Sequence, residues 1–195
     1  MPTGLRERKK EATREALHEA ALRLAVQRGP DRVTIDDIAD AAGVSRRTFS
    51  NYFGGKDEAL LYRDQSRMRT LLELIRARPE RESGWTALTN AAFELYALVG
   101  DRDPTWLAQT RLVRRHPSLA GYQVAAYAAL ERDLADLLAV RLPADPWLEL
   151  RARLVAAAYL STLRITLQTW LDRTSGPRLP EVLREALDAM AQRFR

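Results

Sequence analysis

Two adjacent arginines, Arg46 and Arg47, stand at the start of a short predicted helix and offer planar guanidinium groups to a partner. A guanidinium can bridge O6 and N7 of a guanine in the major groove of DNA. Three small polar residues, Thr48, Ser50 and Asn51, follow on the same outward surface, and such side chains can meet the edges of thymine or adenine. These residue types therefore indicate the recognition of base edges through hydrogen bonds.

The elements that must position these side chains lie within residues 34–53, whose sequence is TIDDIADAAGVSRRTFSNYF. Ile35 and Ile38 give a first short helix one apolar face. Phe49 and Phe53, four residues apart, anchor a second helix inward and leave the arginines facing away from the core. The spacing predicts two short helices joined by a tight turn, which is the arrangement of a helix-turn-helix unit.

The turn and the two helix starts carry signals of their own. Gly43 stands where a side chain is expected to clash, and Val44 fills the junction between the helices. Ser45 is a preferred N-cap, and Thr34 with Asp37 resembles a capping box in which Asp replaces Glu. An ordinary helical hairpin with solvated arginines is the alternative, but the combination of caps, turn and basic face favours a DNA-reading unit.

The composition excludes several classes of site. Hydrophobic residues make up 46% and charged residues 29% of the 195, a balance typical of a globular protein rather than a disordered one. Cysteine is absent, which rules out disulfides, thiolate metal sites and a cysteine nucleophile, and the only histidines are His18 and His116. Because the chain also lacks a nucleophile elbow and a glycine-rich phosphate loop, we expect neither an enzyme nor a bound metal or cofactor.

The net charge of +5 and the sequence pI of about 9.9 suit a polyanionic partner. The basic charge is densest over residues 1–56, where Arg6, Arg8, Lys9 and Lys10 form an N-terminal arm that we expect to add salt-dependent affinity for the DNA backbone. A solvated helix surface is the alternative interpretation of such clusters. The sequence shows neither a secretory signal nor a segment long enough to span a membrane, so we expect a cytoplasmic protein.

Helical periodicity runs through almost the whole chain, and no alternating strand pattern of useful length interrupts it. The sequence predicts an all-α protein of about nine helices. We expect a three-helix DNA-binding domain over residues 1–56 and a helical effector-binding and dimerisation domain over residues 57–195. The expected helices cover about 8–28, 34–43, 45–53, 57–78, 84–99, 104–116, 117–142, 146–173 and 179 to the end.

The segment ALRLAVQRGPDRVTIDDIADAAGVSRRTFSNYFGGKDEAL, with the basic arm before it, resembles the DNA-binding region of TetR-family transcriptional regulators. The resemblance implies that Thr34, Tyr52 and Lys56 contact phosphates, and that the outward residues of the second short helix face bases or the adjoining backbone. Ser50 stands where many relatives carry an aromatic residue, so the stacking or methyl contact of those relatives is not carried over. The predicted DNA-binding set is Thr34, Ser45, Arg46, Arg47, Thr48, Ser50, Asn51, Tyr52 and Lys56.

The same resemblance implies a function. It describes a homodimeric, ligand-responsive DNA-binding regulator, most often a repressor that a small hydrophobic effector releases from a palindromic operator. An activator is also compatible with the sequence, because the sign of regulation depends on the position of the operator. A protein that organises nucleic acid without a ligand is a further alternative, although the aromatic-rich body favours a sensor.

The body beyond residue 56 carries aromatic residues on consecutive predicted helices, with arginines among them. Converging helices of this kind can line an apolar cavity with an orienting charge, although the same aromatics could form plain core. A looser resemblance, over RDPTWLAQTRLVRRHPSLAG, ERDLADLLAVRL and TLRITLQTWL, is to TetR relatives that sense acyl-CoA-like ligands, and it implies an effector of that kind. The predicted pocket residues are Trp85, Phe93, Tyr96, Trp106, Arg111, Tyr122, Tyr127 and Tyr159.

Residues 147–171 form a predicted helix that is apolar nearly all round, so more than one of its sides must be buried. The family resemblance implies that this helix and the last one build a four-helix dimer interface around a two-fold axis. A dimer would also double the DNA-reading helices, as a palindromic operator requires. The predicted interface residues are Leu163, Leu167, Trp170, Leu183, Leu187 and Met190.

Overall fold

The computed structural model describes residues 4–99, 104–173 and 175–192, and within these ranges the protein is all-α, as the sequence predicts. Ten α-helices and a short 3-10 turn over Pro30–Arg32 make up the regular structure of the described ranges, which contain no strand. The helices are α1 (Leu5–Arg28), α2 (Ile35–Ala41), α3 (Arg46–Ser50), α4 (Lys56–Leu60), α5 (Tyr62–Arg76), α6 (Gly84–Val99), α7 (Pro104–Arg115), α8 (Pro117–Ala139), α9 (Leu148–Leu171) and α10 (Leu179–Ala191).

The helix predicted over residues 57–78 is divided at Leu61 into α4 and α5. The backbone of Leu61 leaves the helical region (φ −99°, ψ 8°), while its side chain stays buried. Leu61 N donates to the Asp57 carbonyl at 3.0 Å, and the Leu61 carbonyl accepts from Gln65 N at 3.1 Å. Because the hydrogen bonds and the apolar pattern both continue through the break, the periodicity of the sequence gives no sign of it.

The chain forms two compact units. The first consists of residues up to 66 together with residues 104–124, and the second of residues 67–103 and 125 onward. Helices α5 and α8 each contribute residues to both units. The predicted domain boundary after residue 56 stays a prediction.

The core of the first unit forms around α1, which packs against α2, α4 and α7. Leu17, Ile38, Phe49 and Leu119 are fully buried in it. Removing an apolar side chain of this size from water stabilises a fold by about 1.5–3 kcal/mol. Leu22 and His18 of α1 are buried beside the apolar face that the sequence predicts for this helix, and that face is itself buried: Leu17, Ala20, Ala21, Leu24 and Ala25.

A histidine shares this core. His18 is 0% exposed, and its Nδ1 donates to the carbonyl of Ala59 on α4 at 2.9 Å, since a carbonyl can only accept. Its Nε2 has no hydrogen-bond partner within the part of the chain that the structure describes. Burial lowers the pKa of His18 below its ordinary value of 6.5, and the hydrogen bond to Ala59 opposes that shift only in part. The imidazole is therefore neutral at neutral pH and ties α1 to α4.

The core of the second unit joins α6, α9 and α10. Trp85 and Tyr159 meet edge to face with their ring centroids 6.1 Å apart. Trp85 Nε1 donates to the Leu187 carbonyl at 3.1 Å, and the Tyr159 hydroxyl donates to the Leu88 carbonyl at 3.0 Å. The polar atoms of both rings are thus satisfied by main-chain oxygens. Among the described residues, no helix combines the length and the apolar content that crossing a membrane requires.

Candidate nucleic-acid interface

The first helix of the reading unit, α2, begins with the predicted capping box. Thr34 Oγ1 accepts from Asp37 N at 3.1 Å, and Thr34 N donates to Asp37 Oδ2 at 2.9 Å. The Thr34 hydroxyl also donates to the same carboxylate oxygen at 2.6 Å. These hydrogen bonds from Thr34 lower the pKa of Asp37 below its ordinary value. The capping box is confirmed, and it occupies the Thr34 donors that the phosphate contact would need.

The turn between α2 and α3 depends on Gly43, although not for the predicted reason. Gly43 has φ +68°, a left-handed conformation that strains other L residues. A Cβ built at this position would meet no atom within 4 Å. The expected clash is therefore wrong, and the backbone conformation is what requires glycine. The turn is closed by Gly43 N donating to the Asp40 carbonyl at 3.0 Å and Val44 N donating to the Ala39 carbonyl at 2.9 Å.

Helix α3 carries the residues that the sequence predicts to read bases. Ser45 caps it, as predicted, because its Oγ accepts from Thr48 N at 3.1 Å. Phe49 and Phe53 are buried with ring centroids 5.8 Å apart, which confirms that this face is turned inward. Thr48 is half-buried, and the other residues of the predicted base-reading set are exposed on the opposite face: Arg46, Arg47, Ser50 and Asn51.

The two arginines of α3 differ in their partners. Arg46 Nη1 pairs with Asp36 Oδ2 at 2.6 Å, and both side chains are more than half exposed. Arg47 makes no hydrogen bond or ion pair through its side chain with any residue that the structure describes. The sequence analysis did not identify Asp36, which the structure places against the predicted base-reading residue Arg46. The sequence feature that could have identified Asp36 is its position in the first turn of α2, from which a carboxylate can reach the neighbouring helix.

Lys56 lies at the start of α4 and is engaged within the chain. Its Nζ donates to the Pro30 carbonyl at 2.9 Å and to the Val33 carbonyl at 3.1 Å. The ammonium group therefore holds the 3-10 turn and the residue before Thr34 next to α4. The predicted phosphate contact of Lys56 stays a prediction.

Tyr52, another predicted phosphate contact, is half-buried, and the Arg14 guanidinium lies 5.9 Å from its ring centroid.

The basic N-terminal residues belong to a helix. Arg6, Arg8, Lys9 and Lys10 lie in the first turns of α1, which begins at Leu5. All four are exposed. They therefore offer exposed cations on a helical support to any nearby phosphate.

The predicted pocket residues fall into both units. Tyr96 and Tyr127 of the second unit are half-buried, while Trp85 and Tyr159 are core residues. Phe93 is also in the second unit, and the Arg184 Cζ atom lies over its ring, 4.2 Å from the ring centroid. The structure places the remaining three in the first unit: Trp106, Arg111 and Tyr122.

In the first unit, the Tyr122 hydroxyl accepts from Gln65 Nε2 at 2.8 Å, and Trp106 is buried. Arg111 is exposed and lines a cleft between α7 and α1. The assignment of all eight residues to an effector pocket stays a prediction.

The predicted dimer residues are divided between core and surface. Leu183 and Leu187 are 2% and 0% exposed and belong to the core of the second unit. A side chain that is already buried within the chain has little area left to bury against a partner. Trp170 Nε1 donates to the Pro177 carbonyl at 3.1 Å. The half-buried members of the set are Leu163, Leu167, Trp170 and Met190.

Comparisons with known proteins agree with this architecture. Residues 17–62 match the model of the TetR family of bacterial regulatory proteins, and residues 82–195 match the model of the MftR C-terminal domain. The chain is 29% identical to the HTH-type transcriptional regulator TcmR of Streptomyces glaucescens, over 96% of this chain and 86% of that protein.

Two solved structures extend the comparison. FadR of Thermus thermophilus, a TetR-family repressor in complex with lauroyl-CoA, is 27% identical, with a TM-score of 0.56 over 91% of this chain and 93% of its own. A TetR-family regulator from Streptomyces coelicolor A3 shares the fold, with 21% identity and a TM-score of 0.63 over 92% and 93% of the two chains. With a helix-turn-helix on α2 and α3 and a matching helical body, the chain belongs to the TetR family of DNA-binding transcriptional regulators.

Proposed function

We propose that this chain is a ligand-responsive repressor that a small hydrophobic effector releases from a palindromic operator. The observation that carries the proposal is that α3 has one exposed basic face and one buried apolar face. Arg46 and Arg47 are exposed at its start, while Phe49 and Phe53 fix the helix from the opposite side. A short anchored helix with arginines in its first turn suits entry into the major groove, where each arginine can bridge a guanine.

Thr34, Tyr52 and Lys56 are the phosphate contacts in this proposal. Lys56 keeps one of its three N–H donors after those given to Pro30 and Val33. The Thr34 hydroxyl is exposed and can exchange its bond to the capping carboxylate for one to a phosphate oxygen. Contacts of this kind fix the position of α3 on the duplex and carry no sequence information themselves.

A homodimer supplies the second reading helix. An exposed apolar stripe along α9 supports an interface there: Leu150, Leu154 and Ile165 are 51%, 54% and 53% exposed and share one helical face. Exposed apolar residues in a row mark contact surfaces more often than isolated ones do. We place the two-fold interface on this stripe. Leu163, Leu167 and Trp170, which the sequence predicted for the interface, lie on the opposite face of α9.

Oligomeric state tests this interface. Ile165→Glu introduces a charge into the stripe and should convert a dimer into a monomer by light scattering at micromolar concentration. Arg132→Glu, at an exposed position of α8 outside the stripe, is the control and should leave the dimer intact. Dimers of equal stability in both variants would remove the stripe from the proposal.

The effector is proposed to be an acyl-CoA-like or other hydrophobic anion. Support comes from the likeness to FadR of Thermus thermophilus, whose structure contains lauroyl-CoA. Further support comes from the half-buried aromatics Tyr96, Phe93 and Tyr127 in the second unit. Ligand acts only if it binds more tightly to a conformer whose two reading helices do not fit the operator spacing. Helix α5 contributes residues to both units, and we propose that it transmits the conformational change from the effector to the reading helix.

Genome-wide binding of the full chain would give the operator, and fluorescence anisotropy would then measure its affinity against random duplex DNA. Adding lauroyl-CoA should lower operator affinity at least about tenfold, which is a typical coupling free energy. A cationic hydrophobic compound at the same concentration is the control and should have no effect. Equal affinity for operator and random DNA would instead support a protein that organises nucleic acid, and release by cations alone would contradict the anionic effector.

A further inference from the structure

Helices α1 and α7 of the first unit enclose a cleft of about 410 Å³. Leu112 is buried in its floor, and Arg111, Arg115 and His116 line it, whereas no carboxylate does. We propose that this cleft binds a small soluble organic phosphate. The phosphate group lies between the two arginines, and the apolar part of the molecule lies against Val26.

The arginines carry the first step of the argument. Arg111 and Arg115 are four residues apart on α7, so their side chains leave the same helix face about one turn apart. Both are exposed, and neither side chain makes a hydrogen bond or ion pair with any residue of the described ranges. Like charges at this spacing repel each other unless an anion lies between them. Two guanidinium groups can hold one phosphate through paired hydrogen bonds.

His116 adds a third donor next to the end of α1. Its Cε1 lies 3.8 Å from the place that a Cβ on Gly29 would occupy, so the imidazole borders the last turn of α1. The side chain of His116 has no hydrogen-bond partner among the described residues. A ring N–H is therefore available to an oxyanion in the cleft.

An adjoining hollow with apolar residues in its lining indicates that the ligand has an apolar part. Val26 is 56% exposed and also lines a neighbouring hollow of about 340 Å³ together with Leu22 and Ala108. Glu19 and Arg23 both line that second hollow, so their charges offset each other, whereas the cleft has two arginines and no carboxylate and is the more favourable place for the phosphate. The hydrocarbon part of the ligand can thus lie along α1 from Val26 towards Leu22.

The shape of the site favours a small molecule over the DNA backbone. Small-molecule sites are concave and mostly apolar, with a few placed polar groups, and this cleft has that character. Phosphate contacts to DNA come mainly from side chains and amides that project from the protein surface. The site is separate from the effector cavity proposed for the second unit, and its test does not depend on an operator.

Calorimetric titration of the full chain with octyl phosphate, inorganic phosphate and 1-octanol tests the proposal. Octyl phosphate should bind at least about tenfold more tightly than inorganic phosphate, because its octyl chain buries methylene groups that inorganic phosphate lacks. 1-Octanol should give no saturable binding. Arg111→Ala and Arg115→Ala should each weaken octyl phosphate binding at least about fivefold.

Arg114→Ala is the matched control, since it removes the same charge from the same helix at a position outside the cleft lining. It should bind octyl phosphate within about twofold of the unchanged protein. Arg115→Gln, which keeps much of the side chain, serves if an alanine variant melts early. No binding of octyl phosphate at millimolar concentration would overturn the proposal. Binding that is unchanged in the Arg111 and Arg115 variants, or equally weakened in all three arginine variants, would overturn it as well. Weaker binding to random DNA in the Arg111 and Arg115 variants, without octyl phosphate binding, would make the cleft a DNA-backbone surface instead.

Discussion

Arg46 Nη1 donates to Asp36 Oδ2 at 2.6 Å, so the first turn of α3 is joined to the first turn of α2 by an ion pair on exposed surface. A pair in this setting contributes at most about 1 kcal/mol to stability. The pair also affects binding. Arg46 must leave a carboxylate before it can reach a base edge, and that carboxylate also repels the approaching phosphates.

We therefore expect Asp36→Asn to bind operator DNA about two- to fivefold more tightly, in line with the energy of an exposed ion pair. Asp40→Asn is the control, because it removes the same charge from α2 at an exposed position that does not pair with Arg46. It should give a smaller gain. Fluorescence anisotropy at constant salt measures both. Weaker operator binding by Asp36→Asn would mean that Asp36 orients Arg46 in the complex.

Arg47 and Lys56 should respond differently to replacement. Arg47→Ala should weaken operator binding by about 1–3 kcal/mol and random DNA much less, because it removes a base contact. Its stability should change by less than about 0.5 kcal/mol, since the side chain is exposed.

Lys56→Ala should weaken both DNAs equally. It should also lower the free energy of unfolding by about 1–3 kcal/mol, because the Pro30 and Val33 carbonyls lose a charged donor. Thermal melting and anisotropy together separate the two effects. An unchanged sequence preference in Arg47→Ala would contradict base reading by that residue.

Replacing Gly43 isolates the effect of backbone conformation. No atom lies within 4 Å of a Cβ at this position, so only its φ of +68° penalises a side chain. We expect Gly43→Ala to cost about 1–2 kcal/mol, with Gly43→Asn less costly and Gly43→Val more costly. Denaturant unfolding gives this order. Equal stability of the three variants would show that the turn can change its conformation.

The buried His18 predicts a loss of stability in mild acid. Because burial holds its pKa below 6.5 in the folded protein, the unfolded chain binds more protons as the pH falls through 6.5. The contribution of His18 to the free energy of unfolding should therefore be complete above about pH 7. Below that pH the free energy of unfolding should decrease by up to about 1.4 kcal/mol per pH unit.

His18→Gln removes the titrating group and can still donate to the Ala59 carbonyl, so its unfolding free energy should depend less on pH between 7 and 5. Identical pH profiles for His18→Gln and the unchanged protein would contradict this role of His18.

Local sequence signals predicted much of the reading unit. Phe49 and Phe53 are buried as their spacing indicates, and the capping box of Thr34 with Asp37 is present. Both features depend on residues three or four apart within one helix, where side-chain positions follow directly from helix geometry. Ser45 capped its helix for the same reason.

Contacts between separate segments could not be predicted in this way. Lys56 reaches Pro30 and Val33, which are 26 and 23 residues away, and nothing in its local pattern distinguishes a carbonyl from a phosphate as partner. The burial of Leu183 and Leu187 likewise depends on how α10 packs, since an apolar stripe can face a core or a second subunit equally well.

The first unit is assembled from two separate stretches of the chain. Leu112 and Leu119, from residues 104–124, complete the core that Leu17 and Phe49 begin. A gene fusion that transplants this DNA-reading head onto another sensor must therefore carry both stretches. Cutting the chain after residue 66 would leave an open apolar face on the transplanted head, and such faces promote aggregation.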